Sequence, residues 1–336
     1  MRLTIFAMLL ALMTASQSLA QQEKQHENVM LKAFVNSKTI VFLGDSITYS
    51  GQYLAVLEDC LLANKVNAPR LLNCGLGSET CSGESEPAHP WPRPNVHERF
   101  ERLLEKVEPD LLVVNYGMND GIYHPFDEKR FQSYKDGIEK IIEAANQSNG
   151  DMKVILLTPP PFDALPLKLK NSLATKDAKE FNWKTVYENY DTEVLAVYSK
   201  WILEQESRVA GCIDMRTPIL EALAEKRKTD PKFRFAHDGV HLNSAGQKIM
   251  GQTIAKALGV DPDKTHGEKV LKAIKERQNV HRDSWLAEVG HKRPGVKSGM
   301  KVEAAKLEAD KIDLQIEAAI KKGKQKERTN ENTADQ

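Results

Sequence analysis

The chain has 336 residues, 41% hydrophobic and 28% charged, ordinary proportions for a globular protein that buries a real core. Its 47 Lys and Arg balance 47 Asp and Glu, so no net charge draws a polyanion and nucleic-acid binding has no electrostatic support. One large domain with an appendage, or two domains, is expected at this length.

Residues 1–20 differ from the rest. Arg2 supplies one positive charge, Ile5–Met13 is continuously apolar, and Ser18-Leu19-Ala20 ends in small residues: the pattern of a secretory signal peptide cleaved after Ala20. The apolar run is too short to span a bilayer and no later stretch qualifies. A secreted or periplasmic protein, free of the membrane after cleavage, is expected. Export would place Cys60, Cys74, Cys81 and Cys212 in an oxidising compartment. Of the three pairings that four cysteines allow, Cys74–Cys81 is preferred because the two flank one loop; buried free thiols are the other reading. No Cys-x-x-Cys spacing suggests zinc.

The first buried strand runs from Thr39 to Leu43 and stops at Gly44-Asp45-Ser46, and a helical pattern follows through Leu54, Leu57, Leu61 and Leu62. Ser46 is therefore expected at the carboxyl end of a strand and the amino end of a helix. Open α/β sheets bind ligands at that edge, and helix N–H groups meet anions there. The plain alternative is an N-cap serine. A second strand, Arg70–Asn73, opens into the small-residue loop Cys74–Gly83. Pro87–Pro94 holds four prolines with His89, Trp91 and Arg93, and excludes helix. Helix Val96–Val107 leads to strand Asp110–Tyr116, which ends in Gly117-Met118-Asn119-Asp120. Helix Phe131–Ala145 precedes strand Met152–Thr158, stopped by Pro159-Pro160-Pro161. Helical patterns at Phe181–Lys200 and Ile202–Val209 come before strand Gly211–Met215. Helix Pro218–Arg227, the segment Ala236–Asn243 and helix Ser244–Leu258 complete the series.

Short apolar strands alternating with helices predict a doubly wound α/β domain over residues 35–260, its parallel sheet covered on both faces. Residues 261–322 are Lys- and Glu-rich and form a helical C-terminal extension, in which Ala305, Ala309, Ile312, Ile316 and Ala319 make a heptad stripe. It reads as a helix laid on the domain surface; a homodimeric coiled coil is disfavoured by alanine at half the seam, and the oligomeric state stays open. His291 and Arg293 lie in a kinked segment beside Trp285, read as a surface wrap, with a lid over the site as the alternative. Residues 323–336 read as disordered.

Ser46, Ser78, Asn119, and Asp238 with His241 all follow strands at one sheet edge. Acyl transfer needs such parts. A serine hydroxyl needs a base, best an imidazole; the imidazole needs a carboxylate to hold its tautomer; the tetrahedral oxyanion needs preorganised donors. At these residues the chain resembles the SGNH (GDSL-type) hydrolase superfamily of secreted serine esterases. Gly44-Asp45-Ser46 matches its first block, Gly117-Met118-Asn119-Asp120 its third and Asp238-Gly239-Val240-His241 its fifth. The resemblance covers residues 38–258. It implies a three-layer α/β/α, flavodoxin-like fold with five parallel strands in the order 2-1-3-4-5, and no cofactor or metal. It also implies Ser46 as nucleophile, His241 as general base and Asp238 as its orienting carboxylate. The oxyanion donors would be the N–H of Ser46, an N–H of the second block and the Asn119 amide. The second block departs from the family's Asn-x-Gly-x-x-Gly: Asn73-Cys74-Gly75-Leu76-Gly77-Ser78 puts Ser78 at the last glycine, with Gly77 as alternative donor.

Asp45 and Asp120 read as structural. Arg93 reads either as a solvated loop residue or as a contact for a carboxylate, sulfate or sugar hydroxyl, and His237 as a possible substrate contact. Export and polar site loops favour O-acetyl esters of a small molecule or polysaccharide, with lysophospholipase or arylesterase activity as alternatives. A metallophosphoesterase would need Asp-x-His and His-x-His motifs, absent here. A noncatalytic carbohydrate-binding protein would not be expected to keep Ser46, Asn119, Asp238 and His241 together.

Overall fold

The computed structural model describes residues 29–67, 70–148 and 152–334, so the signal-peptide reading of residues 1–20 lies outside it. The centre of the molecule is a parallel sheet of β1 (Thr39–Gly44), β2 (Arg70–Asn73), β3 (Leu111–Asn115), β4 (Lys153–Leu157) and β5 (Gly211–Ile213), in the order β2-β1-β3-β4-β5. Ile40, Val41, Phe42 and Leu43 are all fully buried, so both faces of β1 are covered, as a continuous apolar run requires. Each such side chain contributes about 1.5–3 kcal/mol over leaving it in water.

The helices that flank the sheet and build the extension include α1 (Ser46–Ser50), α2 (Gln52–Ala63), α3 (Phe100–Val107), α4 (Glu128–Gln147), α5 (Ala196–Leu203), α6 (Arg216–Thr229), α7 (Ser244–Ala257), α8 (Glu268–Val289) and α9 (Val302–Ala334). Helices cover both faces of the sheet, the three-layer architecture. α2 and α7 lie so close that a Cβ on Gly251 would come within 2.6 Å of the Tyr53 carbonyl oxygen. α4 and α5 meet through aromatic stacking, with Tyr134 and Tyr198 ring centroids 4.4 Å apart.

Local chemistry moves several boundaries. Asn182 Oδ1 accepts the N–H groups of Lys184 and Thr185, an Asx turn that replaces the expected helix at Phe181. Val186–Tyr187 then pairs with Leu173–Ala174, and helical structure begins at Tyr190 as a π-helical segment leading into α5. The helix expected from Val96 is a 3₁₀ turn, Val96–Glu98, followed by α3.

The preferred Cys74–Cys81 pairing is overturned, since all four cysteines are free thiols. The loop turns the Cys81 Sγ toward Asp120 Oδ1 at 3.4 Å instead of toward Cys74. Burial pushes the Cys74 thiol up to about 12 and that of Cys81 well above its ordinary value, so both stay protonated and act as small apolar groups.

In the extension, α8 packs on α2 and α9 on α8. Ala305, Ala309, Ile312 and Ile316 are buried, the two isoleucines against Val270, Ile274 and Ala55. The heptad stripe is thus consumed within the chain. Arg277 of α8 ties the layers by pairing with Glu58 of α2 and Asp313 of α9, while Gln278 Nε2 donates to Glu58 Oε2 at 2.7 Å. Past Lys321 the helix continues to Ala334 where a disordered tail was expected, in a stretch rich in strong helix formers and free of proline. Among the described residues no helix is long and apolar enough to cross a membrane.

Candidate active site

The turn after β1 is built by two residues that cannot easily be others. A Cβ on Gly44 would collide with Thr48 Oγ1 and with the Asn115 carbonyl oxygen of the neighbouring strand. Asp45, fully buried as the N-cap of α1, accepts the Ile47 N–H at 2.8 Å. Burial pushes the Asp45 carboxyl up to about 7 against that hydrogen bond. The following residue, Ser46, projects from the sheet's carboxyl edge into a cavity of about 300 Å³.

The segment after α6 brings the imidazole. Asp238 Oδ1 accepts the N–H of Val240 at 3.0 Å and of His241 at 2.8 Å, folding the four residues into a tight turn. Its other oxygen accepts the His241 Nδ1–H at 2.6 Å, and Ser46 Oγ lies 2.7 Å from His241 Nε2. Burial would raise the Asp238 carboxyl, but the ring and backbone of His241 hold it well below the usual carboxylate range. The hydrogen bond to Asp238 conversely raises the imidazole above its ordinary 6.5, more than burial lowers it. A serine hydroxyl so placed can give its proton to Nε2, with the carboxylate stabilising the imidazolium.

Asn119 follows β3 and also lines the cavity. Its Nδ2 donates to the Glu79 carbonyl at 3.2 Å and its Oδ1 accepts the Tyr123 hydroxyl at 2.9 Å, so the amide orientation is fixed and a second N–H remains available. The clamp is strained: Ile122 and Tyr123 have φ of 45° and 62°, a region costly for a β-branched or bulky side chain. Asp120 is a buried scaffold. It accepts the N–H groups of Cys81 and Ser82 at 2.9 Å and of Gly117 at 2.8 Å, joining the loops after β2 and β3.

Ser78 and Gly77 both line the cavity. Ser78 has a φ of 65°, the left-handed conformation a glycine would adopt, so its side chain is tolerated where a glycine is usual. Beneath it, Arg99 makes a buried bidentate pair with Glu79 at 2.7 Å and donates to the Cys74 carbonyl, and the Tyr116 hydroxyl donates to Glu79 at 2.6 Å.

Three peripheral residues fall differently around the cavity. Arg93 is only 6% exposed and forms a bidentate pair with Glu86 at 2.6 Å, so it is a neutralised wall of the cavity and not a solvated loop arginine. His237 does not line the cavity; its Nδ1 accepts from Arg234 Nε at 3.2 Å on the exposed side of the loop. Arg293 does line it, contrary to a surface wrap. Tyr123 and Trp183 also line it, neither marked by a motif, and Trp183 lies in a stretch whose pattern predicts helix. Tyr123 carried one weak signal, its position four residues after Asn119.

A parallel three-layer α/β fold with serine, histidine and aspartate in hydrogen-bonded sequence at the sheet's carboxyl edge is the arrangement of a serine hydrolase. More particularly, residues 42–249 match the GDSL-like lipase/acylhydrolase family, and the chain belongs to it. Solved structures with a similar fold include a gut microbial diltiazem-metabolizing enzyme, at 20% identity and a TM-score of 0.50. The match covers 66% of this chain and 47% of that one, so the chain aligns with about half of that protein's length. The acetyl xylan esterase AlAXEase matches at 21% identity and a TM-score of 0.44, covering 66% of this chain and 99% of its own. A carbohydrate acetylesterase family member from Sinorhizobium meliloti matches at 16% identity and a TM-score of 0.45, covering 66% and 100%. No curated protein sequence matches the chain.

Proposed function

We propose that the protein is an exported serine esterase that removes short acyl groups, O-acetyl foremost, from a carbohydrate by way of an acyl-enzyme. The observation that carries this reading is the unbroken chain Ser46 Oγ–His241 Nε2, 2.7 Å, and His241 Nδ1–Asp238 Oδ2, 2.6 Å. Ser46 Oγ attacks the ester carbonyl while His241 takes its proton; the carbonyl becomes an oxyanion held by the N–H groups of Ser46 and Ser78 and by the Asn119 amide. Collapse expels the sugar alcohol, which receives the proton from His241. Water, deprotonated by the same imidazole, then attacks the acyl-serine and releases the carboxylic acid. Asp238 keeps the tautomer and orientation of the ring throughout.

The cavity supports a short acyl group. At about 300 Å³ it lies at the small end of ligand sites, and His89, Pro90 and Trp91 are among its lining. The apolar run before Ala20 supports export. A fluorophosphonate probe should label the wild type and leave Ser46→Ala unlabelled. Wild-type protein that folds and takes no label would favour the noncatalytic carbohydrate-binding reading. The acyl length is tested with acetyl and dodecanoyl nitrophenyl esters: acetyl should be preferred, and a strong dodecanoyl preference would move the assignment to a lipolytic enzyme.

A further inference from the structure

Four basic side chains line the cavity: Arg93, His89, His241 and Arg293. Three of them bring no free charge. Arg93 is neutralised by Glu86, its two nitrogens 2.6 Å from the two carboxylate oxygens. Burial lowers the His89 pKa, and the nearby Arg93 and Arg293 charges lower it further, so this ring is neutral at pH 7; its Nδ1–H donates to the Trp91 carbonyl. His241 faces the Asp238 carboxylate. Arg293 has no carboxylate partner among the described residues.

Arg293 is also held for use. It comes from the segment between α8 and α9, outside the catalytic domain, and its guanidinium lies over the Trp91 ring, 5.6 Å from the centroid. Nε donates to the Gly77 carbonyl at 2.8 Å and Nη1 to the Pro294 carbonyl at 2.7 Å. A Cβ on Gly77 would sit 3.0 Å from that Nε, so the absent side chain is what lets the guanidinium come so close to the second-block loop. An arginine has five N–H donors, and two are spent on these carbonyls; the rest, including both on Nη2, have no hydrogen-bond partner among the described residues. A planar donor fork of this kind matches a carboxylate or sulfate better than a lone hydroxyl.

We infer that Arg293, delivered by the C-terminal extension, selects acylated sugars that carry an anionic group, a carboxylate or a sulfate, next to the scissile ester. The inference rests on the sugar-ester reading of the Ser46 site. Trp91, Tyr123 and Trp183 supply the aromatic walls on which a sugar ring can lie, and Arg293 supplies the charge that tells an anionic ring from a neutral one. A charge-assisted pair in a partly closed cavity is worth about 10- to 100-fold in affinity.

The test uses three acetylated methyl glycosides in parallel: one of a uronic acid, one sulfated and one neutral. Wild-type protein should turn over at least one of the anionic esters with a kcat/KM about 10-fold or more above the neutral one, and the two anionic arms report which anion is preferred. Arg293→Gln should bring the anionic and neutral values together, Arg293→Lys should restore part of the gap, and raising the salt should narrow it. Titration calorimetry on Ser46→Ala measures the same preference as binding, without catalysis. Anion-selective binding that Arg293→Gln abolishes, with none of the esters hydrolysed by the wild type, would support the charge filter and refute the esterase. Equal turnover and equal binding of charged and neutral esters, or a preference that survives Arg293→Gln, would overturn the inference and leave the esterase standing.

Discussion

Asp238 with His241, and Glu79 with Arg99, are both acid–base pairs in loops that follow strands of the same sheet, yet they do opposite work. The first pair is half-exposed, with side chains 54% and 52% accessible; the second is sealed at 0% and 2%. In the exposed pair the imidazole can gain and lose a proton as the chemistry demands. In the sealed pair burial works against the Arg99 charge, and the Glu79 carboxylate more than offsets it. Tyr116 and the Cys74 carbonyl complete the hydrogen bonds, so Glu79 and Arg99 hold the loop that carries Ser78 and touches Asn119. Charge open to water reacts; charge buried and fully partnered positions.

If that division holds, removing the exposed partners should abolish turnover without weakening the fold. Ser46→Ala and His241→Ala are each expected to lower kcat by roughly 10⁴- to 10⁶-fold with the urea midpoint unmoved. Glu79→Ala should do the reverse, costing about 3–5 kcal/mol of unfolding free energy because the Arg99 charge is left buried and unpaired. Urea denaturation reads this directly, and a cost below about 1 kcal/mol would show that the sealed pair does not hold the loop. Asn119→Ala lies between the two classes, with an expected fall in kcat of about 10²- to 10³-fold and little change in KM. The smallest effect is on pH. Because Asp238 raises the His241 pKa and the base must be neutral, kcat/KM should climb with a midpoint above 6.5. Asp238→Asn removes that support, so the midpoint should move down; a profile flat from pH 5 to 8 would refute His241 as the base.

Much of the site was legible because its parts are local. The turn Gly44-Asp45-Ser46 interrupts an apolar run, and Asp238 reaches the backbone and ring of His241 within three residues. Such features leave a mark in a single stretch of chain. Between the two readings of Arg93 the sequence does not choose, because its pairing with Glu86 depends on how a proline-rich loop folds back, which no periodicity records. Cys74 and Cys81 were paired by loop position, yet the loop packs Cys81 against Asp120, thirty-nine residues away in the chain. Trp183 was assigned to a helix because the Asx turn at Asn182 has no helical periodicity to betray it.

The amino-acid sequence by itself determined the parallel α/β sheet and the loops that hold serine, asparagine and histidine, because hydrophobic period and turn chemistry act over a few residues; the order of the strands came only with the family resemblance and is set by their pairing. Only the tertiary structure decided which charges are cancelled and which are free: that Glu86 silences Arg93, that Glu79 and Arg99 seal each other, and that Arg293 arrives at the cavity from a helix pair beyond the catalytic domain. The physical reason is that burial and ion pairing are properties of the neighbours a side chain acquires, and those neighbours come from elements distant in the chain.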